Sequence, residues 1–411
     1  MSRGIVVTGV GAVTPQGENF PASWDALIAG RDGVGPVDVF DTSGCRCHVA
    51  ATAKIPPLPA TPALSPKAAA RLSRASRLAL PATREALAHA GLLDAEGHCT
   101  LRDLPISVST TAGAMGFGED FLRRVLARDH RRQFSQVARY LPQQQVLDLQ
   151  EAFGFAGPST IIANACASGA NAIGHAADLI ATGAADCILT GGFEALTELV
   201  FVGFDCLQAT TTEKSRPFDL HRSGLVIGEA AAFLVLESAE LAYARGATPL
   251  AHLTGYGHTT DYFHLTQPQP DGASLVQAMR AAAKQAGIDP TQIGYLNAHG
   301  TATVANDGVE AKAYATFFAE ALGRARISST KAAIGHTLGA AGAIEALFAL
   351  QALRTGQLPP QLNNESPIPE IAPALVALGE IAVTPPAHVM SVNLGFGGSN
   401  AALVFSREAH A

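Results

Sequence analysis

Two patterns occur twice in this chain, in the same order. The stretch "IVVTGVGAVT" (5–14) reads as a short apolar strand followed by Thr-Gly-x-Gly-x-x-Thr, and the same spacing returns in "LTGYGHTT" (253–260). The second parallel is longer. Three residues after Cys166 stands Gly169, and a small-residue helix follows that ends "IATG" (180–183). Three residues after His336 stands Gly339, and "AAGAIEALFALQALRTG" (340–356) ends in the same Thr-Gly. A repeated order of this kind predicts a duplicated α/β unit. The first copy is the longer one: Cys166 lies 158 residues after Thr8, whereas His336 lies 82 residues after Thr254. The excess, within about 30–150, includes "LSPKAAARLSRASRLALPATREALAHAGL" and "FLRRVLARDHRRQFSQVARYLPQQQVLDL", both of which read as helical. The expected halves are 1–250, carrying these insertions, and 251–411.

Runs such as "DCILTGG" (186–192) and "AAFLVLE" (231–237) are apolar without alternation, which suits strands covered on both faces. Strand and helix signals alternate along the chain, so the class is α/β. "AKIPPLPATPALSP" (53–66) reads as a surface loop. Hydrophobic residues make up 48% of the 411 and charged residues 15%, so most of the chain is expected to be interior. A net charge of −7 argues against a nucleic-acid partner, which would need a basic excess. No secretory signal or membrane-length apolar run is visible, and six scattered cysteines suit a reducing cytoplasm better than a disulfide framework.

Two bland motifs are set aside. Cys45 and Cys47, in "CRCH" before His48, lack both the roughly two-to-four-residue gap and the second ligand pair of a zinc site. No metal is expected. "TGVGAVT" has Thr14 where a dinucleotide fingerprint needs its third glycine.

The chemistry gathers elsewhere. In "ANACASGAN" (163–171), Cys166 stands at the mouth of a helix with only small neighbours. Unsatisfied N–H groups there should stabilise a thiolate and lower its pKa from ~8.5, and the small neighbours leave room for an acyl group. That is the pattern of an acyl-transfer nucleophile. His299, in "YLNAHGTATVAND", and His336, in "SSTKAAIGHTLGAAG", both stand at junctions flanked by glycine and small polar residues. Glu345 falls within the helix after His336 and would need a buried partner, for which Lys331 is a candidate. In "SVNLGFGGSNAALVF" (391–405), a glycine turn between two strands carries Phe396, which could be a gate.

Together, the Cys166 motif, "NAHGTATVAND", "KAAIGHTLGAAG", "GFGGSN" and "SRPFDLHRSGLVIGEAAAFLVLE" (215–237) resemble the elongating β-ketoacyl-[acyl carrier protein] synthases of the thiolase-like superfamily, over about residues 3–406. The resemblance implies a duplicated αβαβα fold. It implies that Cys166 accepts an acyl chain as a thioester, and that His299 and His336 promote malonyl decarboxylation and stabilise the enolate. The main-chain N–H groups of Cys166 and Phe396 would form the oxyanion hole, with Lys331 and Glu345 as a supporting ion pair. Phe396 would gate the acyl pocket, and Phe204 would pack behind it. Thr301, Thr303 and Thr266 would bind the phosphopantetheine arm delivered by acyl carrier protein, and no cofactor would be held permanently. Ala112, in "STTAGAMG", would leave the pocket floor open. The implied partners are acyl carrier protein, acyl and malonyl thioesters, and a second subunit, either a copy of this chain or a related one.

The sequence departs from the family at Leu394 (commonly Phe) and Ser399 (commonly Thr). The loop "QATTTEKSRPF" (208–218) is short and lacks the usual basic residue at its start. Fatty-acid elongation and a specialised polyene or polyketide pathway both stay open. A thiolase acting on coenzyme A thioesters would use a second cysteine where this chain has its histidine pair. A non-catalytic chain-length-factor subunit would lack the nucleophile.

Overall fold

The computed structural model describes residues 3–408 except 60, 62–63, 130–132 and 383. Ten strands form one continuous sheet: β1 (Ile5–Val13), β2 (Ile106–Ser109), β3 (Ser159–Ile162), β4 (Cys187–Glu194), β5 (Ala230–Ser238), β6 (Ala251–Thr260), β7 (Ile293–Asn297), β8 (Arg326–Ser328), β9 (His388–Gly395) and β10 (Ser399–Ser406). Their spatial order is β8-β7-β9-β10-β6-β1-β5-β4-β2-β3. Numbered within each half, this is 3-2-4-5-1 meeting 1-5-4-2-3. The pairing senses repeat as well. The first strand of each half runs antiparallel to the fifth, the fifth antiparallel to the fourth, and the second parallel to the third and fourth. The halves join where β1 meets β6 at Val6–His252 and Val7–Ala251. The duplicated α/β unit expected from the repeats is therefore the architecture.

The Thr-Gly-x-Gly repeats lie inside strands β1 and β6, not in turns after them. Thr8 and Thr254 are each the extra residue of a β-bulge, against β5 and β10 respectively. The glycines let a helix lie directly on the strand. A Cβ on Gly9 or Gly11 would come within 2.2 Å of the Ala86 or Ala82 carbonyl oxygen of α1 (Arg74–His89). On Gly255 or Gly257 it would come within 2.1 or 2.2 Å of the Ala282 or Ala278 carbonyl of α3 (Ala273–Gln285). These glycines are packing contacts and leave no room for a dinucleotide.

Helices α2 (Ser168–Ala181) and α4 (Ala341–Thr355) fill the middle, in one buried cluster that draws Leu236 from the first half of the sheet and Leu403 from the second. With α1 and α3 on the outer faces, the layering is αβαβα. Strands β4 and β5 are buried along their whole length, which explains their unbroken apolar character. The excess length of the first half lies ahead of α1, where a helix runs over Phe20–Ile28, and between β2 and β3, where three helices stand at Met115–Leu126, Gln133–Tyr140 and Gln143–Phe153; α1 itself, expected to be part of the excess, is the counterpart of α3. Residues 130–132 of the second helical stretch, and 60 and 62–63 of the Pro-rich loop, lie outside the described residues.

The second repeat has a different register from the one its residues suggest. Gly169 matches Gly342, and Gly183 matches Gly356, a constant offset of 173. Cys166 is therefore the counterpart of Gly339, not of His336. Each helix is preceded by a 3-10 turn, Ala165–Ala167 or Leu338–Ala340, whose first residue has positive φ (Ala165 +59°, Leu338 +47°). The two helices cross at their N-termini, because a Cβ on Gly169 would come 2.6 Å from the Ala343 nitrogen, and one on Gly342 2.3 Å from that of Ala170. The crossing sets the Cys166 turn against the turn that follows His336.

Candidate active site

Cys166 heads α2 on its left-handed turn. Ser168 Oγ accepts the Asn164 N–H at 2.8 Å and donates to the Ala165 carbonyl, which fixes that turn. The thiol is buried, and Leu196, Phe201, Leu225 and Leu338 belong to its apolar cluster. Bulk therefore surrounds the small neighbours in space, although not in sequence. Burial pushes the thiol pKa up to about 12, against the smaller lowering effects of Lys331 and of the Phe396 N–H that donates to the sulfur. The lowered pKa expected from a helix N-terminus is thus not what the site produces, because desolvation outweighs it.

His299 follows β7, and its loop is held by a buried carboxylate. Glu310 accepts the N–H groups of His299 (2.9 Å) and Gly300 (2.6 Å) and also the Tyr314 hydroxyl. Burial, with Asp307 adding to it, raises the Glu310 pKa to about 7. His336 follows the one-turn helix Lys331–Ile334, with its own N–H bound to the Val226 carbonyl at 2.6 Å. The two imidazole rings stand 5.2 Å apart and nearly perpendicular, at 88°.

Their protonation follows from their neighbours. Burial and the Lys331 charge hold both pKa values well below the ordinary imidazole range, so both rings are neutral. The Leu338 N–H donates to His336 Nδ1 at 3.3 Å. Lys331 Nζ lies 3.3 Å from His299 Nδ1, and an ammonium can only donate. With each Nδ1 accepting, the single ring proton of each histidine sits on Nε2.

Lys331 and Glu345 are both 1% exposed and form an ion pair. Lys331 Nζ also donates to the His299 carbonyl at 2.6 Å, and Asn393 Nδ2 donates to the second Glu345 oxygen at 2.6 Å. Burial raises the Glu345 pKa, while Lys331 opposes that shift. The pair therefore tethers His299 to α4 and β9.

A cleft of about 590 Å³ brings together Cys166, His299, His336, Phe396, Phe204, Thr266, Thr301 and Thr303. Leu394 also lines it. Thr301 and Thr303 hydroxyls lie 2.9 Å apart. Phe204 and Phe396 rings pack at 5.6 Å. A side chain on Gly395 would crowd the Cys166 nitrogen at 3.2 Å. Ser399, the other departure, accepts from Asn164 and Asn171 Nδ2 at 3.1 and 3.3 Å.

Ala112 does not line this cleft. It is buried, and its N–H donates to Glu194 at 2.9 Å. Its neighbours Gly113 and Ala114 line a second cavity of about 790 Å³ together with Leu196. Glu194 was not apparent from the sequence. Fully buried, it also accepts the N–H of Thr111 (2.7 Å) and of Gly339 (2.9 Å), and so ties the Ala112 loop to the turn beside His336. Glu310 and Asn393 also escaped notice; for Glu194 and Asn393 the available signal was a polar residue within an apolar run, as in "GGFEAL" and "VMSVNLG", whereas Glu310 stands among other polar residues in "NDGVEAK". At the CRCH segment, Cys47 is buried, Cys45 is half-buried, and His48 Nδ1 lies 3.1 Å from the Thr42 hydroxyl. Among the described residues no helix is long and apolar enough to cross a membrane.

Such a site can form a thioester on a buried sulfur and place two Nε2–H donors on an oxygen where negative charge develops. The chain matches the beta-ketoacyl synthase N-terminal domain over residues 2–242 and the C-terminal domain over 250–365. It is 35% identical to 3-oxoacyl-[acyl-carrier-protein] synthase 2 of Staphylococcus aureus (strain COL), covering 99% of both chains. Among solved structures it is similar to the ishigamide ketosynthase/chain length factor, with a TM-score of 0.91, 29% identity, and 99% and 100% coverage. It is also similar to a type II polyketide ketosynthase in complex with its acyl-carrier protein and bound to the hexaketide, with a TM-score of 0.86, 26% identity, and 99% and 100% coverage.

Proposed function

The chain belongs to the beta-ketoacyl synthase family, and from that premise we propose how its residues divide the work of a decarboxylating condensation. The enzyme is an acyltransferase that condenses an acyl chain with a malonyl unit. Cys166 takes the acyl chain from acyl carrier protein as a thioester. The phosphopantetheine arm of malonyl-carrier protein then enters the cleft along Thr266, Thr301 and Thr303. The Nε2–H groups of His299 and His336 bind the malonyl thioester oxygen, and the C–C bond to the carboxylate breaks to release carbon dioxide. The electron pair left behind forms an enolate, whose carbon attacks the Cys166 thioester. The main-chain N–H groups of Cys166 and Phe396 hold the tetrahedral oxyanion. Its collapse gives β-ketoacyl-carrier protein and frees the sulfur.

The observation that carries this reading is the pair of neutral histidines with both Nδ1 atoms occupied, sharing one cleft with Cys166. A thiolase would need a second cysteine there, and Cys45, Cys47, Cys99, Cys187 and Cys206 do not line the cleft. A chain-length-factor role is disfavoured by Cys166 itself. The acyl chain leaves the sulfur on the side away from the arm, past Leu196, which packs with Cys166 and also walls the second cavity. Ala112 flanks that route.

The halves at 1–250 and 251–411 act as one catalytic unit, since Cys166 comes from the first and both histidines from the second. The working form is a dimer with itself or a related subunit, joined at the free edge of β3 and resident in the cytoplasm. Incubation with acyl-carrier protein followed by mass spectrometry should find one acyl adduct, on Cys166, and none on the Cys166→Ala variant. An adduct mainly on Cys206 or Cys187 would overturn the assignment.

A further inference from the structure

The ends of two neighbouring strands hold the turn that follows His336. Ser109 is the last residue of β2, and Glu194 is the last of β4. Glu194 is fully buried and does not line the cleft. Its Oε1 accepts the Thr110 hydroxyl at 3.1 Å and the Ala112 N–H at 2.9 Å. Its Oε2 accepts the N–H groups of Thr111 at 2.7 Å and Gly339 at 2.9 Å. Ser109 Oγ donates to the Gly339 carbonyl at 2.8 Å, so both main-chain polar groups of Gly339 are held from the first half. Only glycine fits there, because a Cβ would stand 2.5 Å from the Thr111 nitrogen and 2.8 Å from Glu194 Oε2.

This clamp acts next to the residue that sets a tautomer. The Leu338 N–H is the donor at His336 Nδ1. Leu338 has a φ of +47°, in the left-handed region that a leucine seldom occupies, and such a turn persists only where its surroundings over-determine it. Glu194 and Ser109 supply that hold through Gly339. Were the turn to relax, the Leu338 N–H would leave Nδ1 and the ring proton could move there. His336 would then present a lone pair at Nε2, where decarboxylation needs a donor.

We propose that Glu194 is a positioning residue for His336: through Gly339 it holds the turn whose N–H keeps the His336 proton on Nε2. The inference rests on the decarboxylating role given to His336 above and adds a residue outside the cleft on which that role depends. The turn requires an acceptor at the Oε2 position, not a charge. A glutamine can direct its carbonyl oxygen to Thr111 and Gly339 and its NH2 to Thr110, whose hydroxyl can accept in place of donating. Only the Ala112 N–H then loses its partner. An alanine removes the acceptor outright. Toward Cys166 the effect of Glu194 runs the other way. Burial raises the thiol pKa and the Glu194 charge adds to that rise, so losing the charge favours the thiolate and leaves acyl loading no slower.

The test measures decarboxylation of malonyl-carrier protein and acyl loading of Cys166 in the wild type, Glu194→Ala, Glu194→Gln, His299→Ala and His336→Ala, and in Glu194→Ala combined with each histidine variant. Glu194→Ala should lower the decarboxylation kcat by about ten- to a hundredfold, with KM and loading within about threefold of wild type. Glu194→Gln should stay within about threefold of wild type in every assay. Added to His336→Ala, Glu194→Ala should cost less than about threefold more, whereas added to His299→Ala it should have its full effect. Ser109→Ala, which loosens the same glycine without stranding any N–H, should show the same dependence on His336 with a smaller fall; it carries the comparison if Glu194→Ala does not fold. A fall equally large on the His336→Ala background, a glutamine variant as slow as the alanine one, or unchanged decarboxylation in whichever alanine variant folds would overturn the proposal. Wild-type decarboxylation in His336→Ala alone would instead overturn the role given to that histidine.

Discussion

Replacing Lys331 by Met should destabilise the protein in a pH-dependent way. Lys331 and Glu345 are both 1% exposed, and among the described residues Asn393 supplies the only other donor to the Glu345 carboxylate. Removing the ammonium leaves a buried charge with one amide donor, a loss of about 3–5 kcal/mol. It also leaves the His299 carbonyl without its 2.6 Å partner. The sign with pH follows from Glu345, whose pKa is raised by burial and held back by Lys331. Without Lys331 it rises further above the ordinary carboxyl value of about 4.3. Stability is then fully present below the unfolded pKa and lost as pH rises through the folded one, so the defect should be larger at pH about 8 than at pH about 5.5. Adding Glu345→Leu removes the stranded charge and should recover most of the loss, leaving about 1–3 kcal/mol for the Asn393 amide that loses its acceptor and for the His299 carbonyl, which keeps the long Ser329 hydroxyl contact at 3.5 Å. Urea midpoints of the three proteins, taken at equal concentration at both pH values, read all of this directly. A single variant as stable as wild type, a defect that grows on acidification, or a double variant weaker than the single one would refute the reasoning.

Further outcomes follow from the site. His299→Ala and His336→Ala should each slow malonyl decarboxylation by ~10²–10³ while sparing acyl loading, and wild-type decarboxylation should stay level from pH about 8 to 6.5 because both rings are already neutral; a collapse of loading with decarboxylation intact would reverse the roles. Ala112→Phe, tested on a ladder of primer lengths, should depress long primers selectively by overpacking worth ~1–3 kcal/mol, and an equal fall at every length would make Ala112 a packing residue only. Sedimentation at micromolar concentration should give about twice 42.3 kDa for a self-dimer, and a fully active monomer would contradict the dimer.

How far the sequence spoke depended on whether a residue's role was local. The duplication was visible because both halves repeat the same bulge and the same glycine contacts, which leave marks at fixed spacing. Their meaning was not, since Gly9 and Gly257 exist for helix carbonyls that come from residues 82–86 and 278–282. The register of the second repeat was misread for a similar reason: Gly169 and Gly342 are equivalent because each touches the other's helix, a contact no linear spacing reveals. The residues of the cleft were legible, since Cys166, the two histidines, the threonines and Phe396 each sit in their own short motif. Protonation was not. The Cys166 pKa is set by Leu196, Phe201, Leu225 and Leu338, none of them its neighbours in sequence, and the histidine tautomers are set by the Leu338 N–H and the Lys331 ammonium. Glu194 acts by accepting backbone N–H groups from distant loops, so a lone acidic letter in an apolar run was its only trace, whereas Glu310 serves the His299 loop just ahead of it and stands among the polar residues of "NDGVEAK".

The most direct test of the account is the stoichiometry of a single reaction: acyl-carrier protein and malonyl-carrier protein labelled in the free carboxyl, incubated with the wild type and with Cys166→Ala. The account predicts one carbon dioxide released per β-ketoacyl-carrier protein formed by the wild type, and no β-ketoacyl product from the variant. Product formed without loss of carbon dioxide, or formed equally well without Cys166, would contradict it.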